Sequence, residues 1–215
     1  MTLPRLARLL ITLCATAGFI TALAYWWLDN KTHELIGCAV LVLVITHTII
    51  NRRRFARYFT APLTRRKLMF FLINVSMVLG LLIVATTGIA ISQSVFLGWI
   101  DWQAAAPYPL HYTAAYWVAV LMGMHLGMNW NVITQWFRPY AQALPEILVT
   151  RLKWLFIAAI LMLGIAGVVK LNLAAKLTNQ PTLDLWDFSK QTPQFYLYWS
   201  ALLGLAGVAT RKLLK

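Results

Sequence analysis

The chain has 215 residues, of which 60% are hydrophobic and only 12% are charged, with a mean hydropathy of +0.69. A soluble domain of this length carries far more surface charge, so the composition excludes a soluble globular protein and indicates an integral membrane protein. The net charge of +13 does not indicate nucleic-acid binding, because the basic residues stand between long apolar runs rather than along one polar face.

Six segments are long and apolar enough to be predicted as spans, since a spanning helix needs roughly 20 mostly apolar residues. They cover residues 6–28, 33–51, 68–92, 111–130, 153–170 and 194–210. The first can also be read as a signal peptide, because Arg5 and Arg8 precede it and an Ala-Leu-Ala triplet lies near its end. Its apolar run continues to Leu28, longer than the roughly 7–15 residues of a signal core, which favours a retained helix.

The charges divide between the two sides that six spans define. Of the 19 basic residues, 15 fall on the side of both termini; the other four lie on the opposite side with five of the six acids. The positive-inside rule therefore predicts cytoplasmic termini. Cys14 and Cys38 lie in apolar stretches without a CxxC or CxxCH motif, which favours packing roles for both.

The four histidines of the chain fall on the second and fourth spans, two on each. His33 and His47 are separated by the same H-x13-H spacing as His111 and His125. Fourteen helical residues advance roughly 21 Å and leave both side chains within about 40° of one face. Because both spans run in the same direction, His33 can face His111 at the outer side and His47 can face His125 nearer the cytoplasm. Two such pairs predict two stacked haem groups with bis-histidine ligation.

Other interpretations of the histidines explain the pattern less well. A zinc or non-haem iron site usually gathers three or four ligands at one depth, whereas each level offers two histidines. A proton relay requires acids in the membrane interior, and the sequence places none there. Histidines that only bond neighbouring helices remain an alternative for any single one.

Small and basic residues near the histidines extend the predicted site. Gly37 and Gly127 leave room for a flat macrocycle to approach a helix, although close helix packing is an equally good explanation. Arg52 and Arg53 begin about one turn beyond His47 and are candidates to bind the inner propionates, the alternative being a role in topology and lipid contact.

The two histidine helices form a loose tandem repeat, in which Asn51 and Asn129 each follow the inner histidine by four residues. The motif H-E-x-x-G-x9-H with N-x-R, and H-L-G-M-N-W on the fourth span, resembles the bacterial flavinylation-associated cytochromes, small b-type membrane cytochromes discussed alongside the cytochrome b561 group. The doubled H-x13-H also resembles the haem helices of the cytochrome b subunit of bc complexes. The resemblance covers about residues 1–131.

The resemblance implies electron transfer across a bacterial cytoplasmic membrane, with the four histidines as axial ligands of two non-covalent b haems. It also implies an extracytoplasmic flavoprotein or another redox protein as partner. The outer loops, residues 93–110 and 171–192, are candidate docking surfaces or interfacial segments. The stretch 132–150 is predicted to lie on the membrane surface or to line a quinone pocket.

We therefore predict an all-α fold, a polytopic membrane helical bundle of about six transmembrane helices with a four-helix dihaem core. Residues 1–131 form that core, and residues 132–215 add two helices and an outer loop. Membrane lipid and a redox protein are the expected partners, a quinone is a candidate one, and nucleic acid is not. The rival functions are a membrane anchor or assembly subunit whose histidines only pack, and a transporter with a histidine-lined path.

Overall fold

The computed structural model describes residues 5–60, 64–99, 107–180, 182 and 186–214. Within these residues the regular structure is entirely helical, so the all-α prediction is confirmed. The helices are α1 (Arg5–Ala22), α2 (Asn30–Thr60), α3 (Arg65–Ala90), α4 (Tyr108–Met128), α5 (Trp130–Gln142), α6 (Glu146–Lys170), α7 (Leu173–Leu177) and α8 (Thr192–Leu213), with a 3-10 turn at Tyr25–Trp27. Asp101 and Asp184, in the predicted outer loops, lie outside the described residues.

Each of the six predicted spans coincides with a helix: α1, α2, α3, α4, α6 and α8. Three of these helices are long and apolar enough to cross a membrane, judged by length and composition within the described residues: Asn30–Arg53 of α2, Arg65–Ala90 and Glu146–Lys170. They indicate a membrane protein. The apolar part of α1, Leu6–Ala22, is shorter. Six crossings therefore remain a prediction.

Three helix boundaries differ from the predicted ones by more than five residues: the end of α1, the end of α2 and the start of α6, which is Glu146 rather than residue 153. α1 ends at Ala22 rather than at Leu28, because the chain turns through Tyr25–Trp27 before α2 begins at Asn30. α2 continues to Thr60, well beyond the apolar segment, since an arginine-rich sequence keeps good helix propensity after the apolar residues end. The Asp29 carboxylate accepts bonds from the Thr32 hydroxyl and backbone N–H, which caps α2 and lowers the pKa of Asp29.

The chain divides into two compact units. The first unit comprises Met1–Phe71 and Leu79–Ala115, and the second comprises Leu72–Val78 and Tyr116–Lys215. The two units differ from the predicted domains because they reflect the density of packing and not the binding of a cofactor. The cofactor core at residues 1–131 stays a prediction.

In the first unit, α1 and α2 form an antiparallel hairpin. Gly18 of α1 lies against Val40 of α2, where a Cβ atom at residue 18 would come within 2.9 Å of the Val40 side chain. Nearer the start of α1, Thr12 contacts His47 of α2. These two contacts set the register of α2 against α1. They therefore set the positions of His33 and His47 along the hairpin.

In the second unit, α8 lies between the unit's part of α4 and α6. Its buried residues include Phe195, Trp199, Leu202, Leu203 and Gly207. A Cβ atom at Gly127 of α4 would lie 2.2 Å from the Gly207 carbonyl oxygen, and one at Gly164 of α6 would lie 2.7 Å from Leu205 Cβ. Glycines therefore allow the helix backbones of this unit to approach closely.

Candidate cofactor site

The structure brings His33 and His111 together in the first unit. His33 lies in the first turn of α2 and His111 in the first turn of α4. Their ring centroids are 6.3 Å apart, with an angle of 70° between the ring planes. A metal ion bonded to one nitrogen of each ring at about 2 Å places the centroids about 6 Å apart. The separation therefore fits one iron between the two rings.

Two acceptors of α3 hold the His111 ring. Its Nδ1 lies 3.1 Å from the Val84 carbonyl oxygen and 3.1 Å from the Thr87 hydroxyl oxygen. The Thr87 hydroxyl donates its own proton to the Ile83 carbonyl, so its oxygen accepts from the ring. Nδ1 therefore carries the proton, and Nε2 keeps the lone pair that binds a metal. Metal-binding histidines usually donate their second nitrogen in this way.

The His111 ring packs closely on the α3 backbone at Gly88. A Cβ atom at residue 88 would lie 3.1 Å from His111 Cε1 and 3.5 Å from Nδ1. A side chain at this position would push the ring away from Val84 and Thr87. Gly88 therefore lets α3 set both the position and the tautomer of the histidine.

His33 carries a buried ring nitrogen with an unmet hydrogen-bonding capacity. Its Nδ1 has no hydrogen-bond partner among the residues that the structure describes, and the ring also interacts with the backbone of Ala22. The ring edge packs on Tyr25 at a centroid distance of 5.1 Å. A buried polar nitrogen without a partner costs free energy unless a ligand or water satisfies it. The orphaned nitrogen and the facing His111 ring are together compatible with a ligand at this position.

The residue after His33 anchors the N-terminal end of α2. The Glu34 carboxylate accepts hydrogen bonds from the Ser92 hydroxyl and from the backbone N–H groups of Gln93, Ser94 and Val95, at 2.6–3.2 Å. These four donors follow the end of α3, so one side chain joins α2 to the segment after α3. We name this arrangement the Glu34 clasp. It holds His33 at the level at which α3 positions His111.

The inner histidines have fixed surroundings in their own units. In the first unit, His47 Nδ1 lies 3.1 Å from the Thr12 hydroxyl oxygen, and that hydroxyl donates to the Arg8 carbonyl. By the same logic as for His111, Nδ1 carries the proton and Nε2 the lone pair. Asn51 Nδ2 donates to the His47 carbonyl at 2.8 Å.

In the second unit, Asn129 repeats the role of Asn51. Its Nδ2 donates to the His125 carbonyl at 2.9 Å and lies 3.2 Å from His125 Nε2. Metal binding through Nε2 therefore requires the Asn129 amide to move from that nitrogen. His47 and His125 belong to different units, so the inner pair stays a prediction from the sequence spacing.

The remaining predicted site residues divide into open and packed positions. Gly37 has nothing within 4 Å of a Cβ built on it, so space is open beside α2. Gly127 instead lies against the backbone of Gly207, and close helix packing accounts for it without a cofactor. The side chains of Arg52 and Arg53 are exposed.

Three residues with clear side-chain contacts were missed by sequence reasoning: Thr12, Glu34 and Thr87. Arg8 lies one turn before Thr12, and its Nε is buried without a hydrogen-bond partner in the described part of the chain. Arg8 is therefore a partly buried cation on the helix that contacts His47, whereas Arg52 and Arg53 are exposed. The sequence signal for Thr12 and Thr87 was a polar residue inside an apolar helix. Many other threonines of the chain have the same surroundings in the sequence, so the signal did not single these two out. Thr46 and Thr48, the neighbours of His47, bond only the backbone of their own helix in the described contacts.

No group of three or more His, Cys, Asp or Glu side chains that could hold a metal ion occurs within the described residues. Among the described residues, His33 and His111 are therefore not joined by a further His, Cys, Asp or Glu side chain that would complete a metal site of three or more ligands. No protein-family model, curated protein or solved structure matches the chain. The geometry and chemistry of the histidines therefore carry the functional assignment.

Proposed function

We propose that the chain is a membrane electron-transfer protein that binds two b-type haems through His33 with His111 and His47 with His125. The observation that carries this proposal is the facing pair His33 and His111, 6.3 Å between centroids, with His111 Nδ1 bonded to α3. Bound haem supplies an iron that cycles between ferric and ferrous states one electron at a time.

The roles of the protein residues follow from their contacts. The acceptors on Val84 and Thr87 orient His111 and increase the basicity of its Nε2. The Glu34 clasp keeps His33 at the level of His111. Thr12 orients His47, and Arg8, one turn before Thr12 with its Nε buried and unpartnered in the described part of the chain, is the candidate cation for the carboxylates of an inner haem. The open space beside Gly37 admits a flat group against α2.

The proposal extends to the location and partners of the chain. We place it in a bacterial cytoplasmic membrane with six crossings and both termini in the cytoplasm, supported by the charge division of the sequence. Electrons pass between the outer histidine level and an extracytoplasmic flavoprotein or another redox protein, and a quinone pool is the candidate partner on the membrane side. The resemblance to flavinylation-associated cytochromes supports this choice of partners.

The test is a reduced-minus-oxidised absorption spectrum of the purified chain, with haem counted per chain as the pyridine haemochrome. We expect the spectrum of low-spin b haem and two haems per chain. If a preparation made with adequate haem supply contains no haem, the proposal is contradicted. A membrane anchor or assembly subunit is then the remaining interpretation. A colourless protein whose ion flux depends on the histidines would instead indicate a transporter.

Replacing Thr12 by valine tests whether the threonine contact supports a ligand. Valine keeps the side-chain shape but removes the oxygen that accepts from His47 Nδ1. We expect about 10- to 100-fold weaker binding of one haem, because residues that orient metal ligands have effects of this size. Titration of the apoprotein with haemin measures it. Thr12→Ser, which retains the hydroxyl, is the matched control, and equal affinities for Thr12→Val and wild type would argue against the role.

A further inference from the structure

Helix α5, Trp130–Gln142, has an apolar face and a polar face. On a helical projection with 3.6 residues per turn, the apolar face contains Trp130, Ile133, Trp136, Phe137, Tyr140 and Ala141. The opposite face contains Asn131, Thr134, Gln135, Arg138 and Gln142. Such a division indicates a helix that lies at a boundary between an apolar and an aqueous medium.

The apolar face of α5 is partly accessible. No residue of α5 is buried: Phe137 and Tyr140 are 64% and 75% exposed, whereas Trp130, Ile133, Trp136 and Ala141 are half-buried. The Arg211 guanidinium of α8 lies 5.6 Å from the centre of the Trp130 ring. Two large aromatic side chains exposed next to each other on one helix face mark a surface that contacts another molecule or a membrane.

The connection to α6 favours the membrane as the occupant. Only residues 143–145 separate α5 from α6, which is long and apolar enough to cross a bilayer. α5 itself, with 13 residues, reaches about 20 Å and cannot span a hydrocarbon core of about 30 Å. A helix directly before a span, too short to cross and amphipathic, fits along the membrane surface.

Proline supports the same orientation. Pro139 lies inside α5 and cannot donate the helical bond to the Gln135 carbonyl. Both residues fall on the polar side of the helical projection. Water can satisfy that carbonyl if this side faces the aqueous phase, whereas lipid cannot.

The charges beside this face favour anionic lipid. Arg138, Arg151 and Lys153 lie on α5 and the first turns of α6, against the single acid Glu146. Their positive excess complements phospholipid headgroups of negative charge. The Lys153 ammonium lies 5.8 Å from the ring of Trp154, which is 63% exposed, so a cation and an interfacial aromatic are adjacent.

One face of α6 suits such a lipid. It is an open, shallow surface formed by Thr150, Arg151, Trp154, Leu155 and Ala158. Apart from the Thr150 hydroxyl and the Arg151 guanidinium at one end, this surface is largely apolar. Guanidinium binds phosphate well, and the apolar part suits an acyl chain.

We propose that α5 and the first turns of α6 form a binding surface for the anionic phospholipids of one membrane leaflet, with the apolar face of α5 inserted at the headgroup boundary. The surface is independent of the histidines and of any cofactor that they bind. A protein on this face is the alternative occupant, and site-directed spin labelling separates it from lipid.

The test uses the full chain in lipid nanodiscs, with Cys14 and Cys38 replaced by serine and one nitroxide-labelled cysteine introduced. Phe137→Cys reports on the apolar face and Gln135→Cys is the matched control on the polar face. We expect oxygen to relax the label at 137 strongly and a water-soluble nickel chelate to relax it weakly, with the reverse at 135. Equal nickel access at both positions would overturn the proposal. Protection of 137 from both reagents would also overturn it, because the face would then be covered by protein.

A second measurement tests the preference of this surface for anionic lipid. We expect the label at 137 to lie deeper in nanodiscs of phosphatidylcholine with an equal part of phosphatidylglycerol than in phosphatidylcholine alone. The combined variant Arg138→Gln, Arg151→Gln and Lys153→Gln should lose this difference while keeping its helical circular dichroism. An equal depth in both lipids for the protein with all three cations would contradict the assignment to anionic lipid.

Discussion

We expect the His111→Ala variant to bind one haem per chain instead of two. Alanine removes the imidazole 6.3 Å from that of His33, so a haem bound between them would keep only one of its two histidine ligands. The other pair, His47 and His125, does not depend on this ring in the proposed arrangement. Pyridine haemochrome counting on the purified variant measures the stoichiometry, and the reduced spectrum should lose one of two component bands.

Two controls make this result specific. His47→Ala should also leave one haem, but the haem that remains should differ in spectrum from the one kept by His111→Ala. Thr48→Val removes a hydroxyl bonded to its own helix at Val44 and should leave both haems. A His111→Ala protein that retains two haems would refute the ligand assignment. Loss of both from a variant with wild-type helix content would contradict two independent pairs.

We expect Gly127→Ala to destabilise the protein by about 3 kcal/mol, the upper part of the range for an added methyl group in a packed interior. The new Cβ would lie 2.2 Å from the Gly207 carbonyl oxygen and 2.7 Å from its Cα. Both contacts are with backbone, which cannot rotate away as a flexible side chain can. α4 and α8 must therefore separate within the second unit, and burial along α8 decreases. Thermal unfolding in detergent, followed by helical circular dichroism, measures the effect.

Gly37→Ala is the matched control, since it adds the same methyl group to a helix with nothing within 4 Å. Its stability should stay within about 1 kcal/mol of the wild type, in the stabilising direction, because alanine favours a helix over glycine. Equal destabilisation by both variants would show that helix propensity or lipid contact, rather than the crossing with α8, determines the cost. Unchanged stability of Gly127→Ala would contradict the close backbone contact.

The sequence predicted the helices and the proximity of His33 to His111 because both depend on local periodicity. Each apolar segment became a helix, and the parallel spacing placed His33 and His111 within reach of one another. Helix ends were predicted less well. Hydropathy measures apolar length, so it did not detect that α2 continues through its arginines to Thr60 or that α1 stops for the turn at Tyr25–Trp27.

The contacts that orient the histidines could not be predicted, because they depend on which face of one helix meets another. Thr12 and Thr87 resemble the other threonines of the apolar segments until the neighbouring helix is placed. Glu34 was assigned only to the acidic side of the chain, although it accepts four hydrogen bonds from a segment about 60 residues away. Gly127 had two explanations, and only the position of Gly207 favours packing.

The Glu34 clasp has a consequence for the order in which the chain assembles during synthesis. The contact of α1 with α2 can form once α2 has been made, and the clasp can close once Val95 has followed. His111 is made later still, so the start of α2 is already anchored when α4 appears. Since chains are made from the N-terminus, His33 and His111 can meet only after α4 has been made. In the proposed cytochrome, haem would therefore enter this pair at a late stage of biogenesis.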